Sequence, residues 1–189
     1  MARNYYFPDP RKKVDCFVCS VANALLEIGD NETADLAYKS AANCNYLKSD
    51  GGLFFLLANL ALKDLTNNKY AGRLIWYMPS KEHSNLSIRL LQQFGPQETP
   101  RIIEQLKKEK ESGLLQVIDT PCNIRLFPPS LLFLGRPNGR HIVVLSQDAT
   151  KKDIIIDDGQ VHPFNDLRSF LAAKRWRISG ALTDIKLIP

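Results

Sequence analysis

Residues 130–157 read SLLFLGRPNGRHIVVLSQDATKKDIIID, and this stretch decides the fold. Three short apolar, β-branched runs, Ser130 to Leu134, His141 to Ser146 and Asp153 to Ile156, are separated by turn residues. That is the pattern of successive strands. Gly135-Arg-Pro-Asn-Gly-Arg140 is rich in turn formers, so the first two runs are predicted to pair antiparallel. Leu114 to Ile118 is a strand candidate upstream. Downstream, Phe164 to Ala173 reads as a short helix capped near Asn165, and Ile178 to Leu187 as a last strand.

Ahead of the strands the period changes. Val18, Val21, Ala22, Leu25 and Ile28 recur at helical spacing until Gly29, which predicts a helix over 16–29 with two cysteines in its first turn. Asn31 is a candidate cap for a second helix from Glu32 to about Ala42. Ser49 or Asp50 opens a third, Leu53 to about Leu65, apolar nearly all round and therefore buried. Asn67-Asn68 makes a turn, and Arg73 to Met78 is aromatic and β-branched enough for a strand. Ser84 to Phe94 and Thr99 to Ser112 fit helices broken at Gly95-Pro96, with Lys107 to Glu111 on a solvated face. Helices first and strands after predict an α+β architecture, a helical N-terminal lobe and a C-terminal antiparallel sheet.

The chain has 189 residues, enough for one domain over 1–189. Hydrophobic residues are 44% and charged residues 24%, which argues against disorder. The net charge of +5 comes from dispersed Lys and Arg, so solubility explains it as well as any anionic partner does. The longest apolar run, Leu53 to Leu62, is too short to cross a bilayer, and the N-terminus has no apolar signal region. A cytoplasmic protein without a membrane partner is expected. The four cysteines, Cys16, Cys19, Cys44 and Cys122, are then expected as thiols.

The chemistry concentrates in three residues. Cys16 opens a helix after Asp15, His141 begins a strand, and Asp157 ends the next strand sixteen residues later. A thiolate at a helix N-terminus is stabilised by the dipole and by free backbone N–H groups. A histidine within reach takes and returns the proton, and a carboxylate orients the imidazole. Asp158 is the other candidate for that carboxylate, but strand alternation puts it on the opposite side from Asp157.

Asp15-Cys16-Phe17-Val18-Cys19-Ser20-Val21 resembles the Asp-Cys-Gly-Pro-Ala opening of the bacteriocin-processing (double-glycine) peptidases, within the papain-like clan. His141-Ile-Val-Val144 resembles that family's His followed by β-branched residues. Ile154-Ile-Ile-Asp157-Asp158-Gly159 resembles its strand ending in Asp-Pro and then Gly, and Phe164 to Leu171, Trp176 and Gly180-Ala-Leu its closing elements. The likeness covers the two ends of the chain, about half of it. It implies a papain-like cysteine-protease fold. It also implies a cysteine peptidase-like hydrolase or acyl-transfer enzyme that acts on an amide or thioester through Cys16, His141 and Asp157, without metal or organic cofactor. A peptide or other acyl compound is the implied substrate. Phe17-Val18 replaces the family's Gly-Pro, and Pro10 stands where the family has an oxyanion-hole Gln. A catalytically inactive papain-fold binding or scaffold protein is therefore the alternative, and a basic nucleic-acid-associated protein a distant third.

Cys19 is the alternative nucleophile, because papain's own Cys-x-x-Cys acts through its second cysteine. A thioredoxin-type motif needs an apolar strand before Cys16, and Arg11 to Asp15 is not one. A zinc site needs a second close pair, and Cys44 and Cys122 are isolated. His162, beside Pro163, reads as a solvated turn. Trp76, Tyr77 and Phe54-Phe55 read as core. Lys174-Arg-Trp-Arg177 has a basic-aromatic look that suits phosphate, although cations also favour a helix C-terminus. Nothing in the sequence sets an oligomeric state.

Overall fold

A computed structural model describes residues 6–8, 16–47, 55–77, 86–118, 126–136 and 139–188. The helix opened by Cys16 is α1 (Cys16–Ile28), and every residue from Phe17 to Leu26 is buried. It ends on Gly29, whose φ of 102° lets its N–H and that of Asp30 fold back onto Leu25 O. Helix α2 (Asn31–Lys39) follows. Its cap is Asp30 and not Asn31, because the Asp30 carboxylate accepts from the Thr33 N–H at 3.0 Å. The same carboxylate takes Lys69 Nζ at 2.6 Å and the Tyr70 hydroxyl at 2.9 Å. Lys69, with Thr33 and Tyr70, outweighs burial and holds Asp30 well below the usual carboxylate range.

A 3₁₀ turn (Phe55–Leu57) leads into α3 (Ala58–Leu65), buried as its composition predicts. Left-handed Asn67 and Asn68 turn the chain into β1 (Tyr70–Tyr77). Leu86–Glu111, α4, is two helical segments broken as expected at Gly95, whose φ of 74° and ψ of 177° are not helical. Then come β2 (Leu115–Ile118), β3 (Ser130–Arg136), β4 (Gly139–Gln147), β5 (Asp153–Asp157), β6 (Gln160–Pro163), α5 (Leu167–Ala173) and β7 (Arg177–Leu187). Asp166 caps α5 through the Ser169 N–H, one residue after the expected Asn165.

The seven strands form one mixed sheet in the order β2-β1-β7-β3-β4-β5-β6. The architecture is α+β, but the sheet is not the property of the C-terminal half. Strand β1 pairs antiparallel with β7 and parallel with β2. Parallel neighbours cannot be joined by a tight turn, and α4 lies in the connection between them. Nor is the sheet wholly antiparallel, since β1 and β2 run together.

The remaining ladder follows the expected pairing. Strand β3 meets β4 with Leu134 opposite His141 and Phe133 opposite Ile142. Strand β4 meets β5 with Val144 opposite Ile156. Alternation then sorts the side chains. Phe133, Ile142, Val144, Ile154 and Ile156 join the core under α1 and α3. Leu132, Leu134, Val143, Leu145 and Ile155 face the other way, onto Leu171 of α5. Strand β6, opposite β5, was not expected, and it makes His162 a half-buried strand residue opposite Ile155 instead of a solvated turn.

Gly180 sits where β7 crosses the sheet centre. A Cβ there would lie 2.7 Å from Ile75 O and 3.3 Å from the Phe133 ring. Backbone cannot yield as a side chain can, so Gly180→Ala is expected to cost about 1–3 kcal/mol. Urea unfolding checks this, and an unchanged midpoint would contradict the tight β1–β7 approach.

Candidate active site

Cys16 is the first residue of α1 and is half-buried, so its N–H has no partner within the helix. Helix α1 is held against the sheet one residue beyond His141: the Ser20 hydroxyl donates to Ile142 O at 3.2 Å. Further along α1, Glu27 accepts from the Ser146 hydroxyl on β4 and from the Tyr6 hydroxyl. Residues 6–8, the described part of the N-terminal lead-in, are bound to the same helix. The buried Asn23 amide accepts the Phe7 N–H at 2.8 Å and donates to Phe7 O at 3.0 Å, as a neighbouring strand would. Tyr38 stacks on Phe7 with ring centroids 4.5 Å apart.

His141 stands near the start of β4, with a side chain 18% exposed. Its Nε2 is 2.6 Å from Asp157 Oδ1. Strand alternation brings this about. His141, Val143 and Leu145 share a face of β4, and Ile155 and Asp157 share the same face of β5, so the two polar residues meet diagonally. With Nε2 committed, Nδ1 is the nitrogen left for Cys16, whose side chain lines the same small cleft as His141. Burial alone lowers the His141 pKa. The hydrogen bonds of Asp157 and Cys16 and the negative charge of both more than offset it, and the ring is pushed up to about 9. Burial alone raises Asp157, but His141, with His162 and Lys174 nearby, holds it below the usual carboxylate range.

The structure therefore brings Cys16, His141 and Asp157 together. Cys19 has another position. It is 3% exposed and its thiol donates to Phe7 O at 2.9 Å, so it helps hold the lead-in. Asp158 is a turn residue: with φ of 49° and 74°, Asp158 and Gly159 form the two-residue loop between β5 and β6. Cys44 is buried, and burial pushes its thiol up to about 11. None of Cys16, Cys19 and Cys44 forms a disulfide. Pro10, Asp15 and Cys122 lie outside the described residues. Among the described residues no group of three His, Cys, Asp or Glu side chains is arranged to hold a metal, and no helix is long and apolar enough to cross a membrane.

Two spaces meet at the imidazole. Between α1 and the sheet, the cleft beside Cys16, Ser20 and Ile142 has only about 10 Å³ of room. A nucleophile needs an open cleft for its substrate, and this one is nearly closed because α1 packs directly on β4. On the other face a groove of about 360 Å³ runs past His141 and Asp157 to Trp176 and Lys174. Among the described residues His141 alone lines both. Trp176 covers the imidazole with centroids 5.9 Å apart and planes 30° apart, and the Arg136 guanidinium lies 4.6 Å from the same indole. Arg136 and Asn23 were not singled out from the sequence. Arg136 sits in a stretch that reads as turn, and nothing marks one Asn in an apolar helix as an anchor. No family model, curated protein or solved structure matches the chain at significance.

The imidazole's raised pKa sets a sign for stability. A group held above its unfolded value of about 6.5 stabilises the fold fully below that pH and loses the contribution as pH rises through about 9. Asp157→Asn is thus expected to destabilise most below about pH 6.5, with the difference from wild type shrinking through about 9. Urea midpoints between pH 5 and 10, at roughly unit intervals, test this. A difference that grows with pH would contradict it.

Proposed function

We propose that this chain is a papain-like cysteine hydrolase or acyl-transfer enzyme, one domain over 1–189, acting in the cytosol on an amide or thioester. One observation carries the reading: a helix-opening cysteine and a half-buried imidazole, 125 residues apart in the chain, line one small cleft while a carboxylate holds the ring at 2.6 Å. The raised imidazole pKa favours an imidazolium beside Cys16 at neutral pH.

The chemistry follows from those charges. The Cys16 sulfur forms a bond to the substrate carbonyl carbon. The carbon's bond to the leaving nitrogen or sulfur breaks, and the His141 proton goes to that leaving atom. A thioester to Cys16 remains. Water then attacks the thioester carbonyl and gives its proton to His141, and the sulfur leaves as thiolate. An amine or alcohol in place of water makes the same cycle an acyl transfer. Asp157 keeps Nε2 oriented and supports the positive ring throughout. The Cys16 N–H at the start of α1 is the donor offered to the developing oxyanion.

The closed cleft beside Cys16 favours a second reading, a papain-fold binding protein without turnover. Thiol labelling separates the two. At about pH 7, iodoacetamide is expected to alkylate Cys16 at least about ten-fold faster than Cys44, and His141→Ala to slow Cys16 alone. Equal, slow alkylation would favour the binding protein. With a thioester substrate, His141→Ala is expected to lower kcat/KM by about 10²–10⁴-fold. Wild-type kcat/KM should fall as pH rises through about 9, and Asp157→Asn should move that limb to lower pH. An unmoved limb would exclude His141 as the acid.

A further inference from the structure

The groove on the far side of His141 has a charge and a position that the hydrolytic chemistry alone does not require. We propose that it is the leaving-group subsite of the enzyme and selects a leaving group that carries a carboxylate or a phosphate. This inference rests on the Cys16–His141 chemistry proposed above.

Position comes first. The proton that His141 delivers goes to the leaving atom, so the leaving group lies on the imidazole side of the Cys16 sulfur. The cleft on the α1 side has about 10 Å³, too little for a substituent, whereas the groove on the other side of the imidazole offers about 360 Å³. A substituent on the leaving atom is directed into that groove.

Charge comes second. Arg136 and Lys174 line the groove with His162 beside them, while Arg140, at its rim, has its guanidinium 5.8 Å from the Phe55 ring on the other face. Among the described residues of the lining the one carboxylate is Asp157, and it is bonded to His141 at 2.6 Å. Among the described residues neither Arg136 nor Lys174 is tied up in an ion pair. Lys174 and His162 share the single carboxylate of Asp157 with His141, and Arg136 has none, so positive charge is in excess and an anionic ligand offsets it through charge-assisted hydrogen bonds. The third feature is the wall. Trp176 and Phe170 flank the groove over a floor of Leu134, Val143 and Ile155. Arg136, resting 4.6 Å from the Trp176 ring, is held with its guanidinium at the wall. A short apolar linker therefore has a surface to lie on, with its terminal anion among the cations.

Three hippuryl thioesters test the subsite. Their leaving thiols are mercaptoacetate, 2-mercaptoethyl phosphate and methyl mercaptoacetate, giving a carboxylate, a phosphate and a neutral ester. Each rate is corrected for spontaneous hydrolysis. Wild type is expected to favour at least one anionic leaving group over the neutral one by about ten-fold or more in kcat/KM. Whichever anion gains more identifies the source. The preference should shrink as salt is raised. It should fall toward unity in the double variant Arg136→Ala, Lys174→Ala, and invert in Lys174→Glu. A preference absent in wild type, or present and unchanged in these variants, would overturn the subsite while leaving the hydrolase intact. Hydrolysis of none of the three would overturn the hydrolase and the subsite together. Turnover that survives in Cys16→Ser would do the same.

Discussion

An imidazole removed from water gives up its proton unless something negative holds it, and the contact between His141 Nε2 and Asp157 at 2.6 Å is what holds it here. Much of the surrounding structure sets up that contact. The β3–β4 hairpin places His141 opposite Leu134, and the β4–β5 register brings Asp157 to the same face one step along. A slip of one residue in either pairing would send one of the two to the wrong face of the sheet. The apolar residues between them, Val143, Leu145 and Ile155, fix the register by their burial against Leu171.

Cys16 reaches the same imidazole from the other side by a different route. Helix α1 is apolar almost all round because it is covered on all sides, by the sheet, by α2 and by the lead-in held on Asn23. Ser20 on Ile142 and Glu27 on Ser146 then fix its height along β4. Small polar contacts thus set the position, and the hydrophobic face supplies the affinity. Gly159 belongs to this arrangement: a Cβ there would come within 3.1 Å of Tyr6 O, so the β5–β6 turn and the lead-in can approach closely only because the residue is glycine.

Local patterning made much of this legible. The period of Val18, Val21, Leu25 and Ile28 marks α1, and the β-branched runs mark β3, β4 and β5 in their places. Cys16, His141 and Asp157 stood out because each lies at the end of such an element, where a side chain can leave the core. What the patterning missed is non-local. The parallel pairing of β1 with β2 depends on a helical crossover, and no short-range signal announces it. Strand β6 is four residues long and ends in Pro163, so it looks like a turn until β5 pairs with it. The caps moved by one residue, to Asp30 and Asp166, because in each case the carboxylate side chain reaches the backbone N–H three residues on. Only one wall of the groove showed in the sequence, in the basic-aromatic Lys174-Arg-Trp-Arg177, because Arg136 and His162 join it from two other elements.

The central claim is that His141 keeps its proton because Cys16 and Asp157 both need it there. Nitrogen-15 NMR of the His141 side chain measures this directly. The account predicts a ring protonated on both nitrogens at about pH 8, titrating near 9, and titrating at clearly lower pH in Cys16→Ser and in Asp157→Asn. A ring already neutral at that pH, with a titration untouched by either substitution, would contradict it.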